Sequence, residues 1–322
     1  MIGAEARSGP DRTTLVAFTA VALLGGVNAV AVKQMILETP PLWSAGLRFV
    51  LAGSLLVLIC LTMRRPFPGR ASVLGAMAYG AFGFSASYGL LYTALRDIPT
   101  GTAMILIAMT PLFTFVLAIL QRQEKFHRNG LAGALVAVAG IGVVVADQLN
   151  AAVPLVPLLL VVLGTAAIAE SAVIAKWTPK SDPFWTNAVA MLTGAALLVA
   201  FSFATGESQT LPALPATLAA LAYLVLLGSV AMFTLYLFGI KRWTASAMSY
   251  TTLLMPLVTL ALAAVLFDEV ISPLFVIGGA VILAGVYVGS FARRHPRQST
   301  ALSAPECLPV ADCPDRAAPA PA

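Results

Sequence analysis

One carboxylate, Glu170, stands inside a long apolar stretch, in the sequence Ile168-Ala169-Glu170-Ser171. Because an apolar environment resists ionisation, a buried carboxyl group can take up and release a proton, or it can hold the ammonium group of a ligand. The structural alternative is that Glu170 neutralises a buried cation or hydrogen-bonds to a neighbouring helix. Ionisable groups in such stretches are usually functional. We therefore predict that Glu170 is a ligand-binding and proton-coupling residue.

Asn28 and Arg48 are two further polar residues inside apolar stretches. Asn28 stands 142 residues before Glu170 (170 − 28 = 142), and this spacing indicates equivalent positions in two halves of the chain. The forked guanidinium of Arg48 could grip a carboxylate through two hydrogen bonds. Arg48 could equally anchor Glu38 or Asp97 near the end of its helix, and both interpretations stay open.

Two stripes of polar and aromatic side chains add to these candidates. Ser85, Tyr88 and Tyr92 follow one another at i, i+3 and i+7, which places them on one helical face. Such a face suits an amphipathic small molecule, but it also suits hydrogen bonds between helices and an aromatic belt at a membrane surface. A similar stripe lies later in the chain, at Ser229, Met232 and Tyr236. The predicted substrate-binding residues are Asn28, Arg48, Ser85, Tyr88, Glu170, Ser229 and Tyr236.

The composition shows which elements must position these side chains. Hydrophobic residues make up 59% of the chain, charged residues 10%, and the mean hydropathy is +0.91. A soluble domain carries about 25% charged residues, so most of this chain is suited to lipid. Apolar runs of about 17–25 residues, the length that crosses a bilayer as a helix, occur at residues 14–34, 42–63, 72–93, 100–120, 129–147, 155–175, 184–204, 217–238, 246–267 and 272–291.

The chain also contains an internal repeat. Pro111-Leu112-Phe113-Thr114 is matched by Pro256-Leu257-Val258-Thr259, at a spacing of 145 (256 − 111 = 145). Registered Pro, Glu and Gly are stronger markers than matched Leu or Ala in so apolar a chain. They pair Gly83 with Gly228, Glu124 with Glu269, Gly133 with Gly278 and Gly140 with Gly285. A repeat of this size in a membrane protein is typical of secondary transporters. Pro111 and Pro256 interrupt matching helices and are predicted either as hinges or as packing kinks.

An odd number of helices in each half predicts that the second copy is inverted relative to the first. Five runs fall in each half, so a unit that starts on one side of the membrane ends on the other. All but three of the 19 Lys and Arg residues then fall on one side, the exceptions being Lys33, Arg48 and Arg96. By the positive-inside rule, that side is the cytoplasm, and both termini are predicted to lie there.

Other readings of the composition are weaker. The net charge of +5 is spread over every inner loop, which topology explains without nucleic acid. Cys60, Cys307 and Cys313 give no disulfide framework and only a weak metal signal. A signal peptide ending at Ala29-Val30-Ala31 is an alternative for the first run, but that run is long and has a counterpart in the second half. The repeat there is marked by Pro41-Leu42-Trp43, which Pro183-Phe184-Trp185 matches at a spacing of 142 (183 − 41 = 142). The Pro- and Ala-rich tail is predicted to be disordered.

The pattern resembles the ten-helix members of the drug/metabolite transporter superfamily, which are built from two EamA-type repeats. The marks of this resemblance are the duplicated Pro, the Gly-spaced last helix of each half, Leu47-Arg48-Phe49 and Asp268-Glu269. The first copy departs from the family at Gln123-Glu124-Lys125, where Gly-Glu is common. The resemblance implies four parts: an N-terminal cytoplasmic segment (1–13), two five-helix repeats (14–147 and 155–291) and a cytoplasmic tail (292–322).

The same resemblance implies a carrier of small metabolites, usually an exporter, without ATPase machinery. It also implies a cavity walled by the first four helices of each half. The leading hypothesis is an inner-membrane secondary transporter of amphipathic solutes such as amino acids, with alternating access about a midplane site near Asn28 and Glu170. Its partners are a small-molecule substrate and the lipid bilayer, with no nucleic acid, cofactor or metal, and a homodimer stays open.

Three other classes compete with a transporter. An intramembrane enzyme needs clustered catalytic groups, but His127 and His295 stand apart from any acidic motif, so we predict no enzymatic activity. A membrane scaffold needs no buried charge, and Glu170 argues modestly against it. A channel would need rings of charge or a carbonyl filter, and neither is visible in the sequence.

Overall fold

The computed structural model describes residues 12–122, 154–179, 181–242, 251–266 and 272–291, together with residues 132, 133, 135, 136, 139, 140, 142–144, 146 and 147. Several sequence predictions lie outside these residues. They concern Glu124, Glu269, Cys307, Cys313 and the tail 292–322.

Within the described residues the protein is all-helical, without strands. The helices are α1 (Arg12–Ile36), α2 (Pro41–Thr62), α3 (Arg70–Gly80), α4 (Ser87–Ala94), α5 (Thr100–Ile107), α6 (Thr110–Leu120), α7 (Leu155–Trp177), α8 (Pro183–Ala204), α9 (Pro215–Val225), α10 (Met232–Arg242), α11 (Thr251–Leu266) and α12 (Pro273–Phe291). The described residues between 132 and 147 are helical as well. The prediction of an all-α protein is confirmed.

Six helical stretches among the described residues are long and apolar enough to cross a membrane. Leucine and valine side chains project from their outer surfaces, for example Leu58, Leu61, Leu163 and Val156, each more than half exposed. Apolar side chains exposed on this scale suit contact with lipid rather than water. The protein is therefore a multi-pass membrane protein. The six stretches are Arg12–Ile36, Pro41–Thr62, Thr100–Leu117, Leu155–Trp177, Pro183–Ala204 and Pro215–Tyr236.

Two short π-helical segments interrupt the helices at matching places. The first π segment (Ala81–Ala86) joins α3 to α4, and the second π segment (Leu226–Ala231) joins α9 to α10. Their starts are 145 residues apart (226 − 81 = 145), which is the spacing of the sequence repeat. A π turn shifts each hydrogen bond by one residue, so it frees backbone groups for other partners.

The longest packing contact joins α2 to α8, which run antiparallel. Gly46 of α2 approaches Val199 near the end of α8, and Gly53 approaches Leu192 further back along it. A Cβ atom at either glycine would lie 2.8 Å from the facing leucine or valine side chain. The two glycines therefore allow the helices to pack closely along their length.

One end of this pair is held by a charged and aromatic contact. Arg65, just after α2, donates through Nη1 to the Asp182 carboxylate at 2.6 Å, and its guanidinium lies 4.2 Å from the Phe184 ring centroid. Asp182 also caps α8, because its Oδ1 accepts from the Phe184 amide at 2.9 Å. The indole of Trp185 donates to the Arg65 carbonyl at 3.1 Å.

The other end of the pair repeats this arrangement with different residues. Glu207, just after α8, accepts from the backbone amides of Leu42 and Trp43 at 3.2 and 2.9 Å, which caps the start of α2. The indole of Trp43 donates to the carbonyl of Thr210 at 2.8 Å. Each tryptophan of the repeated Pro-X-Trp sequence thus bonds to the chain that follows the partner helix.

The C-terminal turns of α2 and α8 also match. Arg64 and Gly206 both adopt positive φ, at 49° and 72°. The next amide in each case bonds back five residues, from Arg65 to Cys60 at 2.9 Å and from Glu207 to the carbonyl of Ser202 at 3.0 Å. Both helices therefore end in a Schellman turn, 142 residues apart (206 − 64 = 142).

The first helix of each half packs against helices of the opposite half. The first helix, α1, packs against α9, the second π segment, α10 and α11. The helix α7 packs against α3, the first π segment, α4, α5 and α6. Each therefore contacts the third and fourth helical stretches of the opposite half.

Pro111 and Pro256 are not structurally alike. A turn at 108–109 separates α5 from α6, and Pro111 lies in the first turn of α6, where proline is well tolerated. Pro256 lies inside α11. The fourth apolar run is therefore interrupted just before Pro111, whereas Pro256 stays inside one helix, and the hinge role of both prolines stays a prediction.

The predicted small-residue packing of the last helices is visible at Gly140 and Gly278. A Cβ atom at Gly140 would lie 2.7 Å from the backbone nitrogen of Ile282, and one at Gly278 would lie 2.7 Å from Cγ2 of Val144. These glycines allow α12 to approach residues 140 and 142–144 closely.

Candidate functional site

The guanidinium of Arg48 is fully buried, and its hydrogen bonds all go to neutral groups. Nε donates to Ser229 Oγ at 3.0 Å, and Nη1 donates to the hydroxyl of Tyr92 at 3.1 Å. Nη2 donates to the carbonyl of Gly228 at 3.0 Å and, at 3.5 Å, to Asn28 Oδ1. We call these five residues the Arg48 cluster.

The Arg48 cluster joins four separate elements. Arg48 lies in α2, Tyr92 in α4 and Asn28 in α1, while Gly228 and Ser229 lie in the second π segment. Asn28 strengthens the junction because its Nδ2 also donates to the Gly228 carbonyl, at 3.2 Å. A buried polar group costs free energy unless it is hydrogen-bonded, so these elements must come together for Arg48 to be buried at all.

The second π segment explains why the Gly228 carbonyl is available. The amide of Met232 bonds to Leu227, five residues back, and not to Gly228, four residues back. The glycine itself is needed for space, because a Cβ atom at position 228 would lie 2.1 Å from Asn28 Oδ1. Both the backbone geometry and the residue type at 228 therefore serve the Arg48 cluster.

Aromatic rings form an apolar wall on one side of Arg48. The guanidinium carbon lies 5.1 Å from the Phe49 ring centroid and 5.3 Å from that of Tyr88, distances at which a cation and an aromatic face attract. Phe84 packs edge-on against Phe49, at 5.0 Å between centroids, and Phe233 packs against Phe84 at 5.4 Å. The rings separate Arg48 from the space beyond Phe233.

That space is a cavity of about 220 Å³ between α2, α8 and α10. Phenylalanine side chains dominate its lining, and Asn187 and Thr234 supply polar groups. It lies toward the end of the α2–α8 pair at which Asp182 caps α8, since Phe184 lines it. Its size and lining suit the apolar body of a small molecule.

No carboxylate among the described residues pairs with Arg48. Glu38, one of the two anchors considered for it, instead accepts from the backbone amides of Ala213 and Leu214 at 2.7 and 3.2 Å. Arg48 therefore does not anchor Glu38 or Asp97, because its hydrogen bonds go to the four neutral members of its cluster. The burial of a cation without an anion is the most unusual electrostatic feature of this site.

Glu170 lies apart from the Arg48 cluster. It is half-buried in α7, and both of its carboxylate oxygens accept from Gln121 Nε2, at 2.9 and 2.7 Å. Gln121 directly follows α6. The structure therefore does not bring Glu170 to Asn28, although both were expected beside one midplane site.

The contacts of two matched glycines identify the counterpart of Asn28. Gly228 approaches Asn28, and a Cβ atom at the matching Gly83 would lie 3.0 Å from the Cβ and Oγ atoms of Ser171. Ser171, not Glu170, thus takes the place of Asn28 in the second half. The spacing for this helix is 143 (171 − 28 = 143), one residue more than for α2 and α8.

The other predicted residues are distributed around the site. Tyr88 borders the Arg48 cluster through its ring, and Ser85 is buried in the first π segment. Tyr236 is half-buried beside Val21 and Met232, on the α1–α10 contact. Of the seven predicted binding residues, the cluster brings together Asn28, Arg48 and Ser229.

Sequence reasoning missed three residues of these contacts. Tyr92 belongs to the predicted stripe, but its position also suits an aromatic belt at the membrane surface. Gly228 was recognised only as a marker of the repeat. Gln121 carried no signal, because it stands one residue beyond the predicted apolar run.

Comparison with known proteins adds independent information. The model of the EamA-like transporter family matches residues 12–146 and again residues 155–291. A probable amino-acid metabolite efflux pump of Escherichia coli (strain K12) is 26% identical over 285 residues, which cover 85% of this chain and 93% of that protein. A probable terminal-alkyne amino-acid exporter of Streptantibioticus cattleyicolor is 31% identical over 234 residues, or 70% of this chain and 75% of that protein.

A solved crystal structure has a similar fold, with a TM-score of 0.63 and 20% sequence identity. The match covers 90% of this chain and 100% of that one, and it concerns the fold alone. Both halves of the sequence match one family model, and the resemblance to the drug/metabolite transporter superfamily is confirmed. The chain belongs to the EamA-like transporter family.

Proposed function

We propose that this protein is a secondary transporter that exports small amphipathic metabolites, such as amino acids, across the inner membrane. The observation that carries the proposal is the Arg48 cluster. It is a buried polar junction between both halves of a transporter-family chain, next to a cavity lined by aromatic rings. Its polar and apolar parts match the two ends of an amphipathic solute.

The relatives support export as the direction and amino-acid-like compounds as the cargo. Two of them are named as a probable amino-acid metabolite efflux pump and a probable terminal-alkyne amino-acid exporter. Both names refer to amino-acid compounds, and the terminal alkyne in the second is an apolar group, which agrees with the chemistry of the site. The family is one of transporters, which supports the absence of an enzymatic role.

We further propose ten membrane helices arranged as two inverted five-helix repeats, residues 14–147 and 155–291, with both termini in the cytoplasm. Support comes from α2 and its equivalent α8, which run antiparallel and end in the same Schellman turn. The matched π segments and the exchanged packing of α1 and α7 agree with this symmetry. The distribution of Lys and Arg supports the orientation.

In this orientation the conformation faces inward. The cavity lies toward the cytoplasmic end of the α2–α8 pair, and the Arg48 cluster closes the opposite end. Opening to the outside requires α1 and the second π segment to separate from α2 and α4, because the cluster ties these elements together. In alternating access, α1 then adopts the packing that α7 has in this conformation, and α7 adopts the packing that α1 has.

Glu170 is proposed as the proton-coupling residue in this scheme. Both of its oxygens accept hydrogen bonds from the side-chain amide of Gln121. Because α6 and α7 meet at this bond, a proton on Glu170 would remove one acceptor and alter the α6–α7 contact. The substrate-binding role predicted for Glu170 is not part of this proposal, since the residue lies apart from the Arg48 cluster.

Export can be tested in cells. We would overexpress the wild-type protein, compare the medium with that of a vector control by untargeted mass spectrometry, and confirm that the protein is in the membrane. We expect enrichment of one or more amphipathic solutes by the wild type only. Equal media, with the protein present, would contradict export and favour uptake or a scaffold role.

A further inference from the structure

The two arginines at helix junctions of α2 have opposite electrostatic surroundings. Arg65 is partly exposed and is paired with a carboxylate, Asp182, at 2.6 Å. Arg48 is fully buried, yet its hydrogen bonds among the described residues go only to an amide oxygen, a backbone carbonyl and two hydroxyls. Burial makes an unpaired charge costly. Arg48 therefore needs an anion more than Arg65 does, yet among the described residues only Arg65 has one.

The bonds of Arg48 are also incomplete. Its four acceptors are fewer than its N–H groups, and the bond to Asn28 Oδ1 is long, at 3.5 Å. A carboxylate offers two oxygens in the plane of the guanidinium and forms stronger bonds than neutral acceptors do. Nη1 has one acceptor for its two N–H groups, and Nη2 makes the long bond to Asn28, so these two nitrogens are the natural place for such an anion.

We propose that Arg48 binds the carboxylate of the transported solute, so that the substrates are carboxylate-bearing compounds with an apolar or aromatic body. The inference rests on the proposed function. The carboxylate replaces the Gly228 carbonyl and Asn28 Oδ1 at Nη2 when the aromatic wall of Phe49, Phe84 and Phe233 moves aside. The apolar body of the solute remains against those rings and the adjoining cavity.

This replacement links recognition to movement. Asn28 and Gly228 belong to α1 and the second π segment, the elements that must leave α2 for the outer end to open. A solute carboxylate at Nη2 supplies the anion that Arg48 lacks and releases these two acceptors together. Bound substrate therefore lowers the cost of separating the two halves, whereas a solute without a carboxylate does not.

The first test compares amino acids with their amides on the wild-type protein. We would measure binding in detergent through thermal stabilisation by phenylalanine, phenylalaninamide, leucine and leucinamide, and by any solute that the export assay identifies. Loss of a charge-assisted bond is expected to weaken binding of the amides by about ten- to a hundredfold. Amides that bind as tightly as the acids would overturn the inference.

The second test uses Arg48→Gln, with Arg96→Gln as the matched control. Arg96 is exposed and lies outside the site, so its substitution should leave the acid-to-amide preference unchanged. Arg48→Gln should lose that preference, while a merely structural Arg48 would weaken acids and amides equally. If Arg48→Gln fails to fold, the wild-type comparison still decides.

The outcomes separate this inference from the proposed function. Export of solutes without any preference for a carboxylate would overturn the inference and leave the transporter intact. Absence of any exported or bound solute would overturn both.

Discussion

At the residue scale, the burial of Arg48 constrains its neighbours more than any apolar contact does. Every acceptor in the Arg48 cluster must be present, because each missing bond leaves part of a buried charge unsatisfied. Asn28, Arg48 and Ser229 could be chosen from the sequence, since polar residues inside apolar helices attract attention. Their mutual contacts could not, because they depend on how three distant segments pack.

Substitution of Gly228 tests the close approach of Asn28. In Gly228→Ala the new Cβ would lie 2.1 Å from Asn28 Oδ1, so the Arg48 cluster must shift. We expect a loss of about 1–3 kcal/mol in stability, typical of overpacking. Thermal unfolding in detergent measures it. Gly142→Ala is the control, because nothing lies within 4 Å of that position, and equal losses in both variants would contradict the account.

Glu170→Gln tests proton coupling without removing the contact to Gln121. Glutamine keeps a carbonyl oxygen that can accept from the Gln121 amide, but it cannot take up a proton. We expect transport driven by a pH gradient to be lost and exchange to persist in part, as measured in proteoliposomes. Gln121→Ala retains the carboxylate but lacks the α6–α7 bond through which its protonation acts, so pH-driven transport should be weakened in this variant as well. Unchanged pH-driven transport by Glu170→Gln would exclude this residue as the coupling group.

At the element scale, the α2–α8 pair makes the most extensive helix–helix contact in the described part of the fold. The sequence predicted both helices and the repeated Pro-X-Trp start, because proline and apolar run length are local signals. The two π segments were not predicted, since one extra residue in a helical turn leaves no clear trace in an apolar sequence. The spacing of 145 pairs Gly83 with Gly228, which lie in these two segments, but a spacing does not show that the backbone there is π-helical.

Asp182 contributes to this pair both as a helix cap and as an ion-pair partner. Asp182→Asn keeps a capping side chain and loses the charge opposite Arg65, so we expect a loss of about 0.2–1 kcal/mol. Asp182→Ala loses the cap as well, which should cost about 1 kcal/mol more. Unfolding of both variants in detergent gives the difference. Equal stability of the two variants would show that the cap contributes nothing.

At the scale of the whole molecule, duplication and charge distribution were the strongest sequence signals. They predicted an all-helical membrane protein with two similar halves, because both features depend on composition and repetition over long stretches. The pairing of Asn28 with Glu170 failed for a simple reason. The spacing between the halves is 142, 143 or 145 in different helices, and a one-residue error moves a side chain to another face of its helix.

Equivalent positions in the two repeats provide a direct test of inversion. Pro66 and Ser208 are 142 residues apart and exposed, one after α2 and the other after α8. In a cysteine-free background, a membrane-impermeant maleimide should label Ser208→Cys in intact cells. Pro66→Cys should react only after permeabilisation. Labelling of both positions from the same side would rule out inverted repeats.

Counterflow in proteoliposomes tests alternating access through this site most directly. Vesicles would be loaded with an unlabelled solute from the export assay and diluted into a trace of the same solute in radioactive form. The account predicts that the labelled solute accumulates transiently above its external concentration, because a carrier exchanges one solute for another. Entry that loading does not stimulate, or that matches protein-free vesicles, would contradict a carrier mechanism.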